Sequence, residues 1–415
     1  MRVLYFTGAY RPDSMVSHTH GELVAALRAR GVAMEIATMG ARDQSDAIAR
    51  ETDTYGTVVW RIRPASAAPA RIRRAYSARV WAFPPFDEVV RSLRAFLTPE
   101  RITGYDLFHV GMAFPYATAF RHALQGRPAP PVIVIITGGD ILTDDATGYG
   151  YGRLPTTRRA IQRTLRWATL VQANSRRSAR TLATYGCSPD HIAVQPPQSA
   201  HEVIPETEVA PFRAHARASL EASGDLPSGR ILLGLGRMVP IKGFDDAIRA
   251  LPTVLGEFPD TTLLLAGPAR DATATAYVTS LESLAASLGV QEHVRIVGQI
   301  PFAAVPSYFA ASSLALIPSL IDGLNMTGVE AAGVGTPSIV SDAAGLADYV
   351  RDYEAGVVVP PRDPPALAEA MLRLLGDDAA WQEASTGALR MADAFSLSHT
   401  ADGILRLYER LLPPS

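Results

Sequence analysis

Short apolar runs, separated by stretches long enough for helices, recur along the chain from its first residues to about residue 360. Residues 3–6, 33–37, 57–62, 107–110, 132–136 and 169–173 are such runs in the first half. They are continuous rather than alternating, the pattern of strands buried on both faces of a parallel sheet. Between the first two, Leu23, Ala26, Leu27 and Arg30 recur at helical spacing, which predicts a helix over 19–30 ended by Gly31. Segment 61–85, rich in Arg, Ala and Pro, reads as an irregular excursion from the sheet.

The pattern lapses over 195–229, where Pro196, Pro197, Pro205 and Pro227 withhold backbone donors, and then restarts. Residues 231–235, 262–266, 294–297, 314–317, 338–340 and 356–359 predict a second parallel sheet, with helices over 245–250 and 272–288 among its connections. Helical patterns over 366–375, 378–394 and 395–411 follow the last strand. The chain is therefore expected to be α/β, with two Rossmann-like domains. The first is placed at 1–200, a linker at 201–228, the second domain at 229–385, and C-terminal helices at 386–415 packing back on the first domain. Open parallel sheets bind ligands beyond the carboxyl ends of their strands, so a cleft between two such domains is the expected site. Helix N-termini there favour phosphate.

With 415 residues, 47% of them hydrophobic, the chain is long enough for two real cores. Its formal net charge of −2 and lack of a long basic run argue against a nucleic-acid surface. The opening Met-Arg-Val-Leu-Tyr-Phe-Thr-Gly reads as a first strand rather than a signal peptide, and no run of apolar residues is long enough to span a membrane. Peripheral membrane contact stays open. Cys187 is the only cysteine, which fits a reducing cytoplasm, and it reads as a small buried apolar residue. A monomer or homodimer is expected.

One residue stands out against this composition. Of the 39 basic residues, Lys242 is the single lysine, set in Gly234-Leu-Gly236-Arg237-Met-Val-Pro-Ile-Lys242-Gly243 after the strand at 231–235. A flexible point charge beside glycines and an arginine suits a diphosphate, which Arg237 and Lys242 can neutralise from two sides. As a dinucleotide fingerprint the segment is poor, because Val239 stands where the third glycine belongs.

A second segment, Pro318-Ser-Leu-Ile-Asp322-Gly323-Leu324-Asn325-Met326-Thr327-Gly-Val-Glu330, also leaves a strand and enters a helix. Asp322 and Glu330 can each accept hydrogen bonds from hydroxyls on one long ligand, and the amides near Gly323 and Leu324 can donate. Asp322 reads alternatively as a helix cap and Glu330 as a surface helix residue. The small apolar Ala-Ala-Gly-Val-Gly that follows Glu330 favours ligand contact.

Together the two segments resemble the donor-site signature of retaining GT-B glycosyltransferases of family 4. Asp-Leu-Phe-His109, Val134-Ile-Ile-Thr-Gly138-Gly139-Asp140, Val171-Gln-Ala-Asn174-Ser175, Leu265-Ala-Gly267-Pro268, Val297-Gly298 and Ser341-Asp-Ala-Ala-Gly345 extend the resemblance along most of the chain. The resemblance implies a GT-B architecture, transfer of a hexose-type sugar from a nucleotide diphosphate donor to a hydroxyl-bearing small molecule or glycan, and retention at the anomeric carbon. A uridine donor is expected by base rate, with no cofactor or metal required. Arg237 and Lys242 would hold the diphosphate, with Gly236 beneath it, and Glu330 the ribose hydroxyls. Asp322, where the family usually has glutamate, would face the transferred sugar; Asn325 would add an amide near that sugar or brace the loop, and Gly323, Leu324, Met326 and Thr327 would also belong to the donor site. The Asp-Gly-x-Asn variant is similar to trehalose-phosphate synthases.

The first half departs from the family. Ser14 and Met15 stand where relatives often have paired glycines, with His18 and His20 following as polar cleft residues. Gly138-Gly139-Asp140 replaces a histidine context, which makes Asp140 the side chain available to the reacting centre, and His109 a second candidate for substrate contact. Histidines 18, 20 and 109 lack the further ligand spacing of a zinc site. These departures keep two alternatives in play: a non-catalytic nucleotide-sugar-binding relative and a two-domain nicotinamide-dependent oxidoreductase.

Overall fold

The computed structural model of the chain describes residues 1–11, 15–64, 83 and 86–412. Two compact units emerge: Met1–Gln198 together with Leu397–Ser415, and Ser199–Ser396.

In the first unit, eight strands are described. They are β1 (Arg2–Thr7), β2 (Ala33–Met39), β3 (Ile48–Thr52), β4 (Val58–Ile62), β5 (Leu107–Gly111), β6 (Val132–Ile135), β7 (Leu170–Ala173) and β8 (Ile192–Val194). Their order in the sheet is β3-β4-β2-β1-β5-β6-β7-β8, with only the β3–β4 pair antiparallel among those described. The central strands carry the apolar runs read from the sequence: Val3, Leu4 and Phe6 of β1 and Ile133 and Val134 of β6 are fully buried. β3 and β8 have no such signal. They are edge strands, one the largely exposed Ile-Ala-Arg-Glu-Thr and the other three residues long, so neither face needs apolar side chains.

The second unit holds β9 (Arg230–Leu235), β10 (Thr261–Ala266), β11 (Val294–Val297), β12 (Leu314–Ile317), β13 (Ser338–Ser341) and β14 (Gly356–Val359). Their order is β11-β10-β9-β12-β13-β14, and every pair is parallel. β9 therefore has β10 on one side and β12 on the other. The chain order reverses between β9 and β12, and an open α/β sheet takes its ligand beyond the carboxyl ends of strands at such a switch point. The loops leaving these two strands are the ones that carry Lys242 and Asp322.

Two boundaries differ from the sequence reading. The segment 201–228 is not an extended linker, because Glu206–Ala222 forms a 17-residue helix in the second unit. Prolines 205, 211 and 227 conceal it: Pro205 is its N-cap and Pro211 lies inside it. Its buried Val209 and Ala216 face the unit, and Arg217 donates to the carbonyls of Ala311, Pro227 and Gly229. At the other end, residues 386–396 stay with the second unit, since Ala388, Met391, Ala392 and Phe395 are fully buried in its core. The helix Leu397–Leu411 belongs to the first unit, where Ala401, Ile404 and Tyr408 join the core cluster of Val3, Tyr5 and Leu23.

Candidate functional site

The loop after β9 is built by close backbone approach. Gly267, at φ 153°, lies so near Gly236 that a Cβ there would sit 1.7 Å from the Gly236 carbonyl oxygen. Gly243, at φ 66°, has the Pro318 carbonyl 2.1 Å from where its Cβ would be. The Ile241 carbonyl accepts from the Leu320 amide at 2.8 Å, so the loops after β9 and β12 are stitched together. Replacing Gly267 with alanine combines a disfavoured φ with a backbone collision. It is expected to cost about 2 kcal/mol or more, read as a lowered midpoint in chemical denaturation.

The stem of Lys242 lies over Gly236, whose missing Cβ would meet its Cε at 3.3 Å. This directs Lys242 Nζ to Asp322 Oδ2, to which it donates at 2.7 Å, with the two side chains 14% and 18% exposed. Asn325 Nδ2 donates to the same oxygen at 3.0 Å. The other end of the Asn325 amide caps the helix Met326–Ala332, accepting from the Gly328 amide at 3.2 Å and from Thr327 Oγ1 at 2.6 Å. Asn325 does this at φ 84°, a conformation non-glycine residues rarely adopt and one that functional loops often hold. The helix-cap alternative for Asp322 is therefore corrected: Asn325 is the cap. Burial alone would raise the Asp322 carboxyl, but Lys242, then Asn325 and the Leu324 amide, outweigh it and hold the group below its ordinary value. Gly323 and Leu324 are buried, and Met326 packs on the core beneath. Arg237 is exposed at the start of the β9 loop.

Glu330 lies on the helix Met326–Ala332 and is only 5% exposed, which corrects its reading as a surface residue. Its Oε1 has no hydrogen-bond partner, and burial pushes the carboxyl up to about 7. A buried carboxylate oxygen without a donor is costly in a folded chain and calls for a ligand or a proton. His201 approaches it, with Nδ1 4.0 Å from Oε1. The sequence reading passed over this histidine. The only signal was its place just after Pro196 and Pro197, where the apolar strand pattern lapses.

The first-unit candidates are resolved differently. Asp140 is fully buried, and its carboxylate is occupied by backbone: Oδ2 accepts from the Ala113 amide at 2.9 Å, Oδ1 from Gly138 at 2.9 Å and Thr137 at 3.2 Å. Burial outweighs these bonds and raises the carboxyl to about 6. Asp140 braces the turn at Gly138 and Gly139, and the expectation that it faces reacting atoms is corrected. His109 is also fully buried. Its Nε2 lies 2.9 Å from Gln172 Oε1 and its Nδ1 2.8 Å from Tyr408 Oη. Gln172 uses its amide nitrogen on the Gln195 carbonyl, so Oε1 accepts, Nε2 carries the proton and Nδ1 accepts from the tyrosine. Burial depresses the ring to about 3, and a neutral histidine with both nitrogens engaged in the core is not available to substrate. His20 is half-buried, with Nδ1 2.7 Å from Tyr5 Oη, and desolvation lowers its ring to about 4. His18 bonds Tyr55 Oη at 2.6 Å. Ser14 lies outside the described residues, as do most of 61–85 and the side chain of Met15. Cys187 is buried. Among the described residues no three His, Cys, Asp or Glu gather as a metal site.

Residues 16–198 match the family profile of the glycosyl transferase 4-like domain, and residues 229–377 match that of glycosyl transferases group 1. The fold is that of the GT-B glycosyltransferases. It superposes on a sucrose-phosphate synthase from Thermosynechococcus elongatus with a TM-score of 0.76 at 20% identity, over 99% of this chain and 98% of the other. It matches a trehalose-6-phosphate protein of E. coli bound with UDP-2-fluoro glucose at 0.75 and 13%, over 100% of each chain. The two profile matches follow one another along the chain, and Lys242, Asp322 and Glu330 all fall within the second. Among curated proteins it is similar to D-inositol 3-phosphate glycosyltransferases. That of Acidothermus cellulolyticus is 31% identical over 252 residues, 59% of this chain and 54% of the relative. That of Jonesia denitrificans is 30% identical over 223 residues, 52% of each. The similarity spans about half the length of these relatives.

Proposed function

We propose that this protein is a retaining glycosyltransferase that moves a hexose-type sugar from a UDP-linked donor to a hydroxyl of a small-molecule or glycan acceptor. The observation that carries the reading is the pairing of Lys242 with Asp322 at the sheet's switch point, together with a buried, unpartnered Glu330 oxygen on the helix that follows the Asp322 loop. In the free protein Lys242 is neutralised by Asp322. When a donor enters, its diphosphate takes the ammonium group, with Arg237 as a second cation, and Asp322 turns its acceptor capacity to hydroxyls of the transferred sugar. Asn325 keeps that carboxylate in place from the cap of the following helix. Glu330 receives the ribose hydroxyls, which answers its missing donor.

The chemistry asked of these residues is electrostatic. Negative charge grows on the departing diphosphate as the anomeric carbon becomes oxocarbenium-like, and preorganised cations lower that barrier. A front-face attack, with a donor phosphate oxygen taking the acceptor proton, needs no protein nucleophile. The buried states of Asp140 and His109 fit this scheme, since neither is called on to move a proton. Solved neighbours of the same fold include an Anabaena protein in complex with UDP-glucose, which supports a uridine donor. The names of the curated relatives favour a phosphorylated cyclitol as the first acceptor to try. Incubation with UDP-glucose and D-inositol 3-phosphate is expected to release UDP and give a product with the donor's anomeric configuration by NMR. An inverted product would overturn the retaining assignment, and a protein that binds the donor yet transfers to no acceptor would favour a non-catalytic role.

A further inference from the structure

We infer that the second unit carries a binding site for a small aliphatic monocarboxylate, in a cavity of about 280 Å³ between the helices Glu206–Ala222 and Asp378–Asp393, with Arg213 as the anion receptor. The site lies at the amino ends of β12 and β13, whereas the Asp322 loop leaves the carboxyl end of β12, so it is independent of the donor reading. Arg213 lines the cavity, and its guanidinium is fixed from three directions. One terminal nitrogen donates to Thr336 Oγ1 at 2.6 Å, the other to the Ser312 carbonyl at 2.8 Å, and Cζ stands 4.8 Å from the centre of the Trp381 ring. Trp381 is itself held, its Nε1 donating to the Ser313 carbonyl at 2.8 Å, and Thr336 Oγ1 donates its own proton to the Phe309 carbonyl at 2.7 Å.

Each of these partners is neutral. Among the described residues no carboxylate pairs with Arg213, and burial lowers the guanidinium only to about 10, so it keeps its charge at neutral pH. Ser312 ends the helix Val305–Ala311, whose carboxyl end supplies roughly half an opposite charge. That half charge is shared, because Arg217 donates to the Ala311 carbonyl of the same helix end at 3.2 Å. Arg217 has a carboxylate of its own, Glu221 at 2.6 Å, and Arg213 has none. A desolvated cation in excess of its counter-charge, set in the wall of a cavity, calls for an anion. The other lining residues narrow its class. One cation balances one negative charge, and the exposed Glu206, the one carboxylate among them, repels a second, which disfavours phosphate. Val209, Ala210 and Leu389 offer an apolar side to a hydrocarbon body. At the roughly 30 Å³ that a water molecule takes in the liquid, the space holds about nine heavy atoms, enough for a carboxylate of about four to six carbons.

The test is titration of the full chain with hexanoate, hexan-1-ol and butyl phosphate, followed by saturation-transfer NMR and by tryptophan fluorescence, since Trp381 lines the cavity. Hexanoate is expected to saturate one site at about millimolar concentration, with the alcohol and the phosphate ester at least about tenfold weaker. Arg213→Met should abolish the preference for carboxylate over alcohol. Because that substitution also removes the bonds to Thr336 and Ser312, Ala210→Phe serves as a second variant. Ala210 is exposed on its helix, so the fold should stand while the ring occupies the cavity, and hexanoate should bind about tenfold or more weakly. Melting curves of both variants report on folding. No saturation by hexanoate up to about 10 mM, equal binding of the alcohol, or undiminished binding in a folded Ala210→Phe would overturn the site. Tighter binding of butyl phosphate than of hexanoate would overturn its assignment to a monocarboxylate.

Discussion

Lys242→Ala is expected to lower kcat/KM for the nucleotide sugar by about two to three orders of magnitude, the range for removing one preorganised group that meets developing negative charge. The loss should fall on kcat as well as KM, because the diphosphate gains charge as the sugar leaves. The substitution also strands Asp322, whose carboxylate is held below its ordinary value chiefly by this ammonium group against the effect of burial. A depressed carboxyl stabilises the fold at pH values above its unfolded pKa, near 3.8, and that contribution is lost as pH falls through the folded value. In the variant this advantage disappears and a partly buried charge loses its partner, so stability at neutral pH should drop by about 1–3 kcal/mol. Lys242→Arg should not restore activity. The lysine stem runs over Gly236 at contact distance, and a planar guanidinium fork cannot follow that path to the same point. Steady-state kinetics with all three proteins, beside urea denaturation, checks each part.

Glu330→Gln is expected to separate stability from function. Burial raises the Glu330 carboxyl to about 7 from an ordinary 4.5, so the folded protein holds a proton there that the unfolded chain releases between these values. With more protons bound in the folded state, stability falls as pH rises from about 4.5 to 7, and above that the full cost is present. That cost is on the order of 3 kcal/mol. Glutamine is neutral at every pH and avoids it. The variant should therefore match the wild type near pH 4.5, unfold at a higher temperature above pH 7, and bind nucleoside diphosphate at least about tenfold more weakly. Identical pH dependence of melting in both proteins would contradict the assignment of the raised carboxyl to Glu330. Stabilisation with undiminished nucleotide binding would remove Glu330 from the donor site.

The legible part of this fold is the part whose strands are buried on both faces. Runs such as Ile231-Leu-Leu-Gly-Leu and Leu314-Ala-Leu-Ile announce central parallel strands because no polar residue can be placed there. Ile48–Thr52 carries no such requirement at its edge, and Glu206–Ala222 was hidden by the prolines at its start. For the candidate site, residue types and spacing point to Lys242, Asp322 and Glu330. Their pairing was not legible, since Lys242 and Asp322 meet across 80 residues through the register of β9 beside β12. The same long-range closure misled the reading of His109, which looks like a reactive group in sequence but meets Tyr408 from the C-terminal helix and Gln172 from β7. Its setting in Leu107-Phe-His-Val was the available warning, because a histidine within a continuous apolar strand belongs to the core unless a cavity opens on it. Asp140 follows the same logic: a carboxylate after two glycines can serve substrate or backbone, and three amides settle it.

The central claim is that Lys242 and Glu330 form one nucleotide-diphosphate site. Calorimetric titration of UDP into wild-type protein and into Lys242→Ala tests it most directly. The account predicts one site per chain in the wild type, with affinity reduced by about 1.5–3 kcal/mol in the variant, the worth of a charged hydrogen bond to phosphate. Equal affinity in both proteins, or no binding of UDP, GDP or ADP to the wild type, would contradict it.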